Sequence, residues 1–474
     1  MKRPNIILIN CDDLGYGDLG CYGSKLNRTP HLDQLAQEGI RMTDFYMASA
    51  VCSPSRGAMM TGCLPNRIGF DDFDGQWVLF PGMAQGLNPK ETTIAKYLKD
   101  LGYNTSLVGK WHCGDQKEFL PTRHGFDSYF GIPYSNDMGR QLMGPRRVKK
   151  IAQEKGIQES EVDRSQGISN PPLPLLENDE VLQEQPDQAA LTERYVQECV
   201  RFIKKNQDHP FFLYFAQMYV HLPIYVPQPY LDRSNNGAYG AAVEHIDWSV
   251  GVILETLKQL GLEENTLVVF TSDNGSRARD EGGSNAPLRG NKGQTWDGGM
   301  RLPCIARWKG TVKPNQTWNH LTASIDLLPT FVELAGGELN SSIAIDGNSF
   351  ASSLKGKISE HRDEYPFFHR GTLEALRVGD WKLHFKKNKD DCHELYNLRD
   401  DLGECNNIFD AHPKIIADIN AKADQWRKAL GDTSLDIVGD ERRPIGEVEN
   451  PVPLTSFNEN YPYYLAEYDL FEAG

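Results

Sequence analysis

The strongest constraint on this chain is a series of short apolar runs, several of which open onto a polar cluster. The runs are residues 5–10, 103–108, 211–216, 266–271 and the stretch around 303–308. Each has the length and continuity of a strand buried on both faces, as in a parallel sheet. Amphipathic stretches at 29–39, 92–102, 193–205, 240–260 and 325–335 separate them and read as helices, for example through Val243, Ile246, Val250, Ile253, Leu254 and Leu257. Strands alternating with helices predict an α/β fold with a doubly wound, mostly parallel sheet. In such sheets ligands bind beyond the carboxyl ends of the strands. The polar clusters fall there: Asp12-Asp13, Lys110 and His112, His221, and Asp273-Asn274.

A second stretch, Ala50 to Gly62, reads as a helix start. Ser53 is expected to cap it and Pro54 to take the first helical position. Cys52 then stands where backbone N–H groups favour negative charge. Arg56, one turn later, is expected to reach back toward it. A cysteine there has three readings: a buried side chain, a thiolate nucleophile, or a residue not used as a thiol.

The distant strand ends help to choose. Asp12, Asp13, Asp273 and Asn274 are oxygen ligands suited to a hard divalent cation. Arg56, Lys110 and Lys292 add positive charge, and His112 and His221 can exchange protons. Soft sulfur is a poor partner for an all-oxygen cation site. Cations, histidines and a hard metal around one nucleophile suit transfer of a sulfuryl or phosphoryl group, whose oxygens need charge neutralisation and whose leaving oxygen needs a proton.

Composition sets limits. The net charge of −15 over 474 residues excludes non-specific nucleic-acid binding, which needs a basic footprint. An anionic substrate requires a local cationic cluster against that field. No run reaches the length of a membrane span. The first residues run straight into a strand, with no leader pattern. Location is left open: periplasmic or extracellular if a leader was trimmed, otherwise cytoplasmic. Nine cysteines, an odd number without paired metal spacing, leave disulfide status open.

Two larger units are expected. Residues 1–358 form the catalytic part, interrupted by a polar excursion at about 138–190 in which Arg146, Arg147, Lys149 and Lys150 read as a solvated face. Residues 359–474 form a smaller α+β unit: a hairpin around Gly379-Asp380, a strand at 392–398, a helix at 413–430, and a tail with Tyr461, Tyr463, Tyr464 and Tyr468 expected to pack back on the body.

The runs Cys52-Ser53-Pro54-Ser55-Arg56 with Thr61-Gly62, and Gly102 through Lys110-Trp111-His112, resemble the two signature segments of the type I sulfatases. Asp12-Asp13, Ser272-Asp273-Asn274-Gly275 and the Gly131-Ile132-Pro133-Tyr134-Ser135 loop with Asp137 match as well, the last as in the arylsulfatase A and N-acetylgalactosamine-6-sulfatase branch. The resemblance implies an alkaline-phosphatase-like fold and sulfate-ester hydrolysis, with a sulfated sugar or other sulfated small molecule as substrate. It implies that a maturation enzyme oxidises Cys52 to formylglycine, whose hydrate is the nucleophile. It implies Ca²⁺, ahead of Mg²⁺, on Asp12, Asp13, Asp273, Asn274 and the modified Cys52. Arg56 and His112 would hold and deprotonate the hydrate. Lys110, Ser135, His221 and Lys292 would contact the sulfate, with His221 the proton donor to the leaving oxygen. Cys63 stands where the family has Arg, and Cys113 where it often has Leu. The alternatives are a phosphonate monoesterase or phosphodiesterase of the same superfamily and, more remotely, an inactive binder of sulfated glycans.

Overall fold

The computed structural model describes residues 3–140, 145–164, 170–279, 281–357, 362–387, 390–458 and 460. Tyr461, Tyr463, Tyr464, Tyr468 and the expected unit boundary at 358/359 lie outside the described residues, as do the side chains of Arg146 and Arg147.

The strands, in chain order, are β1 (Asn5–Cys11), β2 (Ile40–Tyr46), β3 (Gln85–Gly86), β4 (Asn104–Gly109), β5 (Ser128–Gly131), β6 (Pro174–Glu177), β7 (Glu180–Glu184), β8 (Phe211–Ala216), β9 (Thr266–Ser272), β10 (Arg301–Arg307), β11 (Gln316–Trp318), β12 (Thr322–Ala323), β13 (Glu364–His369), β14 (Thr372–Val378), β15 (Trp381–Lys387), β16 (Asp390–Asn397) and β17 (Gly446–Glu447). The longer helices are α1 (Pro30–Gln37), α2 (Cys52–Thr61), α3 (Ile94–Asp100), α4 (Pro145–Lys155), α5 (Leu191–Lys205), α6 (Gly237–Gln259), α7 (Leu327–Leu334) and α8 (Pro413–Leu430).

The main sheet runs β11-β2-β10-β9-β1-β8-β4-β5-β6-β7, with β12 beside β2. Its centre, β9-β1-β8-β4-β5, is parallel throughout. Every residue of β1, β8 and β9 is buried, which explains their unbroken apolar runs. Alternation along β1 sends Ile6 and Leu8 to one face, packed with α3 and α7, and Ile7 and Ile9 to the other, packed with α1, α5 and α6. The doubly wound architecture is therefore present.

The periphery departs from expectation. The run at 303–308 is β10, antiparallel to both β9 and β2. It is buried on both faces like a parallel strand, so its composition carries no sign of direction. The excursion at 138–190 is more than a polar loop: it contains α4, and its β6–β7 hairpin extends the sheet antiparallel to β5.

Beyond it stands a four-stranded antiparallel sheet, β13-β14-β15-β16, with α8 against β14. The turn at Gly379-Asp380 joins β14 to β15 as a hairpin. Tyr46 and Ala58 share an apolar cluster with Tyr365, Phe367, Leu373 and Leu376, so this sheet packs on β2 and α2. No helix among the described residues is long and apolar enough to cross a membrane.

Candidate active site

The carboxyl ends of β1, β4 and β9 and the N-terminus of α2 converge on one buried polar cluster. Ligand atoms of Asp12, Asp13, Cys52 and His221 all lie within 4.8 Å of one another. Asp12 and Asp13 follow β1, and Asp273 and Asn274 follow β9, its hydrogen-bonded neighbour. All four are buried. Lys110 leaves the end of β4 through Gly109, whose φ is +114° and where a Cβ would stand 1.8 Å from the Ala216 carbonyl oxygen. Only glycine permits that approach. Asp13 and His112 hold positive φ of 60° and 58°, which costs backbone strain that the packing around them must sustain.

The start of α2 differs from expectation. The helix begins at Cys52, with extended Val51 as its cap residue. Ser53 does not cap. It lies inside the first turn, and its Oγ accepts from the Leu79 N–H at 3.1 Å. Arg56 does not turn back to Cys52 either. Its Nε donates to Asp273 Oδ2 at 2.7 Å and its Nη1 to the Lys110 carbonyl at 2.7 Å. A fully buried guanidinium goes to the nearest carboxylate, because the thiol cannot neutralise it.

Two ammonium groups bracket the acids. Lys110 Nζ donates to Asp12 Oδ2 and, at 2.7 Å, to Ser135 Oγ. Lys292 Nζ donates to Asp13 Oδ2 at 2.9 Å. Burial pushes the Asp12 carboxyl up, but Lys110, His221, Arg56 and Lys292 together hold it well below the usual carboxylate range. Burial and the Asp12 charge raise Asp273. Burial, followed by Asp12, also pushes the Cys52 thiol well above its ordinary value, despite Lys110 and Lys292. A thiolate at Cys52 is therefore disfavoured, and the reading of this residue as a low-pKa thiol falls.

The histidines have fixed orientations. His112 Nε2 is 3.0 Å from the Leu79 carbonyl, an acceptor, so Nε2 carries the proton. Its Nδ1 is buried without a hydrogen-bond partner. Burial, then Lys110, lowers its pKa well below that of a free imidazole, leaving it neutral. His221 Nδ1 is 2.6 Å from the Leu222 carbonyl, which turns Nε2 to within 4.0 Å of Asp13 Oδ2.

All ten residues named from the sequence for catalysis and metal binding reach this region, and Ser135 joins through Lys110. Two details differ. Asp273 faces Arg56 and the Asp13 N–H, the latter at 3.3 Å, rather than the four-residue ligand group. His221 belongs to that group, although the sequence suggested sulfate contact and proton donation rather than metal binding. Supporting residues were missed. Leu79 fixes both Ser53 and His112 through its backbone, which no side-chain pattern reveals. Asp18 receives hydrogen bonds from Gly15, Ser284 and Tyr239 and secures the loop after Asp13. Cys63, where the resembled family has Arg, lies 3.2 Å from Arg443 Nη2, so the far end of the chain brings a guanidinium to this place. None of the nine cysteines is in a disulfide.

Such a sheet, with carboxylates, cations and histidines gathered at its strand ends, defines the alkaline-phosphatase-like class of hydrolase folds. The family model described as Sulfatase matches residues 4–337, and that described as N-sulphoglucosamine sulphohydrolase, C-terminal, matches residues 291–429. Arylsulfatase A of Homo sapiens is 40% identical over 396 residues, covering 81% of this chain and 75% of the relative. N-acetylgalactosamine-6-sulfatase of Homo sapiens is 39% identical over 402 residues, covering 81% and 72%. The solved structure of Ps i-CgsB in complex with k-i-k-neocarrahexaose superposes with a TM-score of 0.76 at 30% identity, covering 90% of this chain and 93% of that one. The chain belongs to the sulfatase family.

Proposed function

We propose that this chain hydrolyses the sulfate ester of a sulfated sugar at the Cys52 cluster. The observation that carries the reading is the ring of buried Arg56, Lys110, His112 and His221 and half-buried Lys292 around Cys52 and three carboxylates. A trigonal-bipyramidal transition state at sulfur, with negative charge on its three equatorial oxygens and on the leaving oxygen, is stabilised by such fixed charge. The sugar in the name of N-acetylgalactosamine-6-sulfatase and the oligosaccharide in the Ps i-CgsB complex support a sugar, while the steryl-sulfatases among the relatives point to a sterol.

The residues present fit a hard cation. Asp12 and Asp13 supply carboxylate oxygens, Asp273 next to them would turn an oxygen from Arg56 or the Asp13 N–H to the cation, and Asn274 Oδ1 is buried with no hydrogen-bond partner. These four, with the modified Cys52, would hold Ca²⁺. The Cys52-Ser53-Pro54-Ser55-Arg56 run and the position of Cys52 at a helix N-terminus fit its conversion by a maturation enzyme to formylglycine. When present, that group supplies a nucleophilic hydrate oxygen and the cation supplies charge neutralisation.

The chain's own side chains do the rest. His112 presents an unprotonated Nδ1 and accepts a proton at the nucleophile. Arg56, locked between Asp273 and the Lys110 carbonyl, fixes the first turn of α2. Lys110 and Ser135 on one side and Lys292 on the other bind the sulfate oxygens. His221 Nε2, beside Asp13, carries the proton for the leaving alcohol. A positioned acid or base of this kind is worth about 10²–10⁴-fold.

The test has two parts. Mass spectrometry of the Cys52 peptide from active protein should show loss of the thiol for an aldehyde, and Cys52→Ala should abolish turnover of an aryl sulfate. Activity with an intact thiol overturns the mechanism. Faster turnover of an aryl phosphodiester than of the matching sulfate overturns the substrate class.

A further inference from the structure

Lys292 stands on the connection between β9 and β10, away from any strand end. Its ammonium reaches Asp13 Oδ2 at 2.9 Å, and its backbone N–H reaches the Ser276 carbonyl at 3.0 Å. The loop around it is closed on itself. Asn285 Nδ2 donates to the Ser276 carbonyl at 2.8 Å and to the Gly290 carbonyl at 3.1 Å. The Gly298 N–H donates to the Arg289 carbonyl at 2.7 Å. Gly290 holds a φ of +87°, and a Cβ there would stand 2.5 Å from the Trp296 Cβ, so the loop folds tightly against that residue. On the other side of Lys292, the Gly293 N–H donates to the Ala50 carbonyl at 2.9 Å, just ahead of Cys52.

Arg289 begins this segment, and its side chain points to the C-terminal unit. Nη1 donates to the Glu404 carbonyl at 2.9 Å and to the Tyr396 hydroxyl at 3.1 Å, and lies 3.4 Å from Glu394 Oε2. Its Cζ is 3.6 Å from the centroid of the Trp296 ring. That indole is in turn 4.2 Å from the His384 ring and 4.1 Å from Lys387 Nζ, both on β15. A planar guanidinium can stack on an aromatic face and donate from its edge at the same time, which an ammonium cannot. One side chain therefore ties the root of the Lys292 loop to β15 and β16. The Arg289 side chain is 41% exposed, so removing it opens no buried cavity.

We infer that Arg289 is a positioning residue for sulfate-ester hydrolysis: through the closed loop it holds the Lys292 ammonium in register with the sulfate, so the C-terminal sheet helps to shape the site. The inference rests on the sulfatase reading above and deepens it. Without Arg289 the loop keeps its internal hydrogen bonds but loses its outer anchor. A displacement of about 1 Å at a substrate-holding group can cost about 10²-fold in rate. A side chain that only fastened the two sheets would lower stability and leave the contribution of Lys292 unchanged.

The experiment uses matured, cation-loaded protein. kcat and KM for 4-nitrophenyl sulfate and inhibition by inorganic sulfate are measured in the single and double variants. Arg289→Ala should lower kcat/KM about tenfold to a hundredfold and weaken inhibition by sulfate. Arg289→Lys should recover part of the loss. In a Lys292→Ala background, Arg289→Ala should cost less than about twofold more, because a positioning residue has no ammonium left to position. Equal losses in the two backgrounds overturn the inference, as does an unchanged kcat/KM in Arg289→Ala. If Arg289→Ala fails to fold, Tyr396→Phe, which removes one partner hydroxyl, carries the same comparison with smaller changes. Lys292→Ala protein with wild-type turnover and sulfate inhibition also overturns it, by removing Lys292 from the sulfate contacts. Wild-type protein that hydrolyses no sulfate ester sinks the sulfatase reading itself, and this inference with it.

Discussion

At the scale of single residues, the site brings together groups that repel or need neutralising. Asp12, Asp13 and Asp273 are buried together, and Lys110, Lys292 and Arg56 balance them. Asn274 gives its Nδ2 to Asp13 at 2.6 Å and keeps its Oδ1 free. A bound cation would satisfy that oxygen and screen the carboxylates. Ca²⁺ at about 100 times its dissociation constant should therefore stabilise the fold by about 2.7 kcal/mol. The expected result is a rise in Tm on adding Ca²⁺ and its reversal by a chelator, measured by calorimetry. Asn274→Leu should shrink the rise, and an equal rise in that variant would remove Asn274 from the ligand set.

At the scale of elements, helix ends and strand ends do most of the positioning. The start of α1 is held by Asp247 of α6, which accepts from the Leu32 N–H at 2.8 Å and the His31 N–H at 3.3 Å. Burial raises the Asp247 carboxyl to about 7, and the nearby Asp33 and Glu244 charges add to this. Because the folded value is the higher one, the native state binds more protons than the unfolded chain between roughly pH 4 and 7. The stability this group contributes is complete below that window and is lost as pH rises through about 7. Asp247→Asn should remove that loss. Denaturant unfolding of both proteins at pH 5 and pH 8 should show the variant gaining on wild type at the higher pH. A constant difference would refute it.

At the scale of the whole molecule, a buried polar network fastens the antiparallel sheet to the rest of the chain. Lys382 of β15 donates to Asp297 Oδ1 at 2.7 Å and to the Thr295 carbonyl at 3.0 Å, and lies 3.0 Å from Glu404 Oε1. Glu404 in turn bonds the Asp297 N–H at 2.8 Å and His384 Nε2 at 2.7 Å. Lys382, Asp297 and Glu404 side chains are all fully buried. Lys382→Met would leave the buried Glu404 without its ammonium and Asp297 with Arg301 alone, a loss of about 3–5 kcal/mol. Equilibrium unfolding measures it, and a change within the range of a surface substitution would show that the network does not fasten the two sheets. The same docking brings His369 and Arg370 of β13 and its turn beside the loop that carries Trp77.

Much of this protein was legible in its sequence. The central parallel strands announce themselves because burial on both faces demands unbroken apolar runs, as in Ile6 to Ile9 and Phe211 to Ala216. The site residues were legible because chain direction puts strand ends on one side of the sheet, so Asp12, Lys110 and Asp273 had to gather there. Other features depended on contacts between residues hundreds of positions apart. Antiparallel β10 looks like its parallel neighbours, since burial leaves no mark of direction. Arg56 turned to Asp273 rather than to Cys52, and Ser53 to Leu79 rather than to a cap, because buried hydrogen-bonding groups take whichever partner the packed fold brings within reach. Residue types and their order determined the sheet and the inventory of the site. Only the tertiary structure decided which charge faces which, because pairing in a buried site is set by distances that the linear chain does not contain.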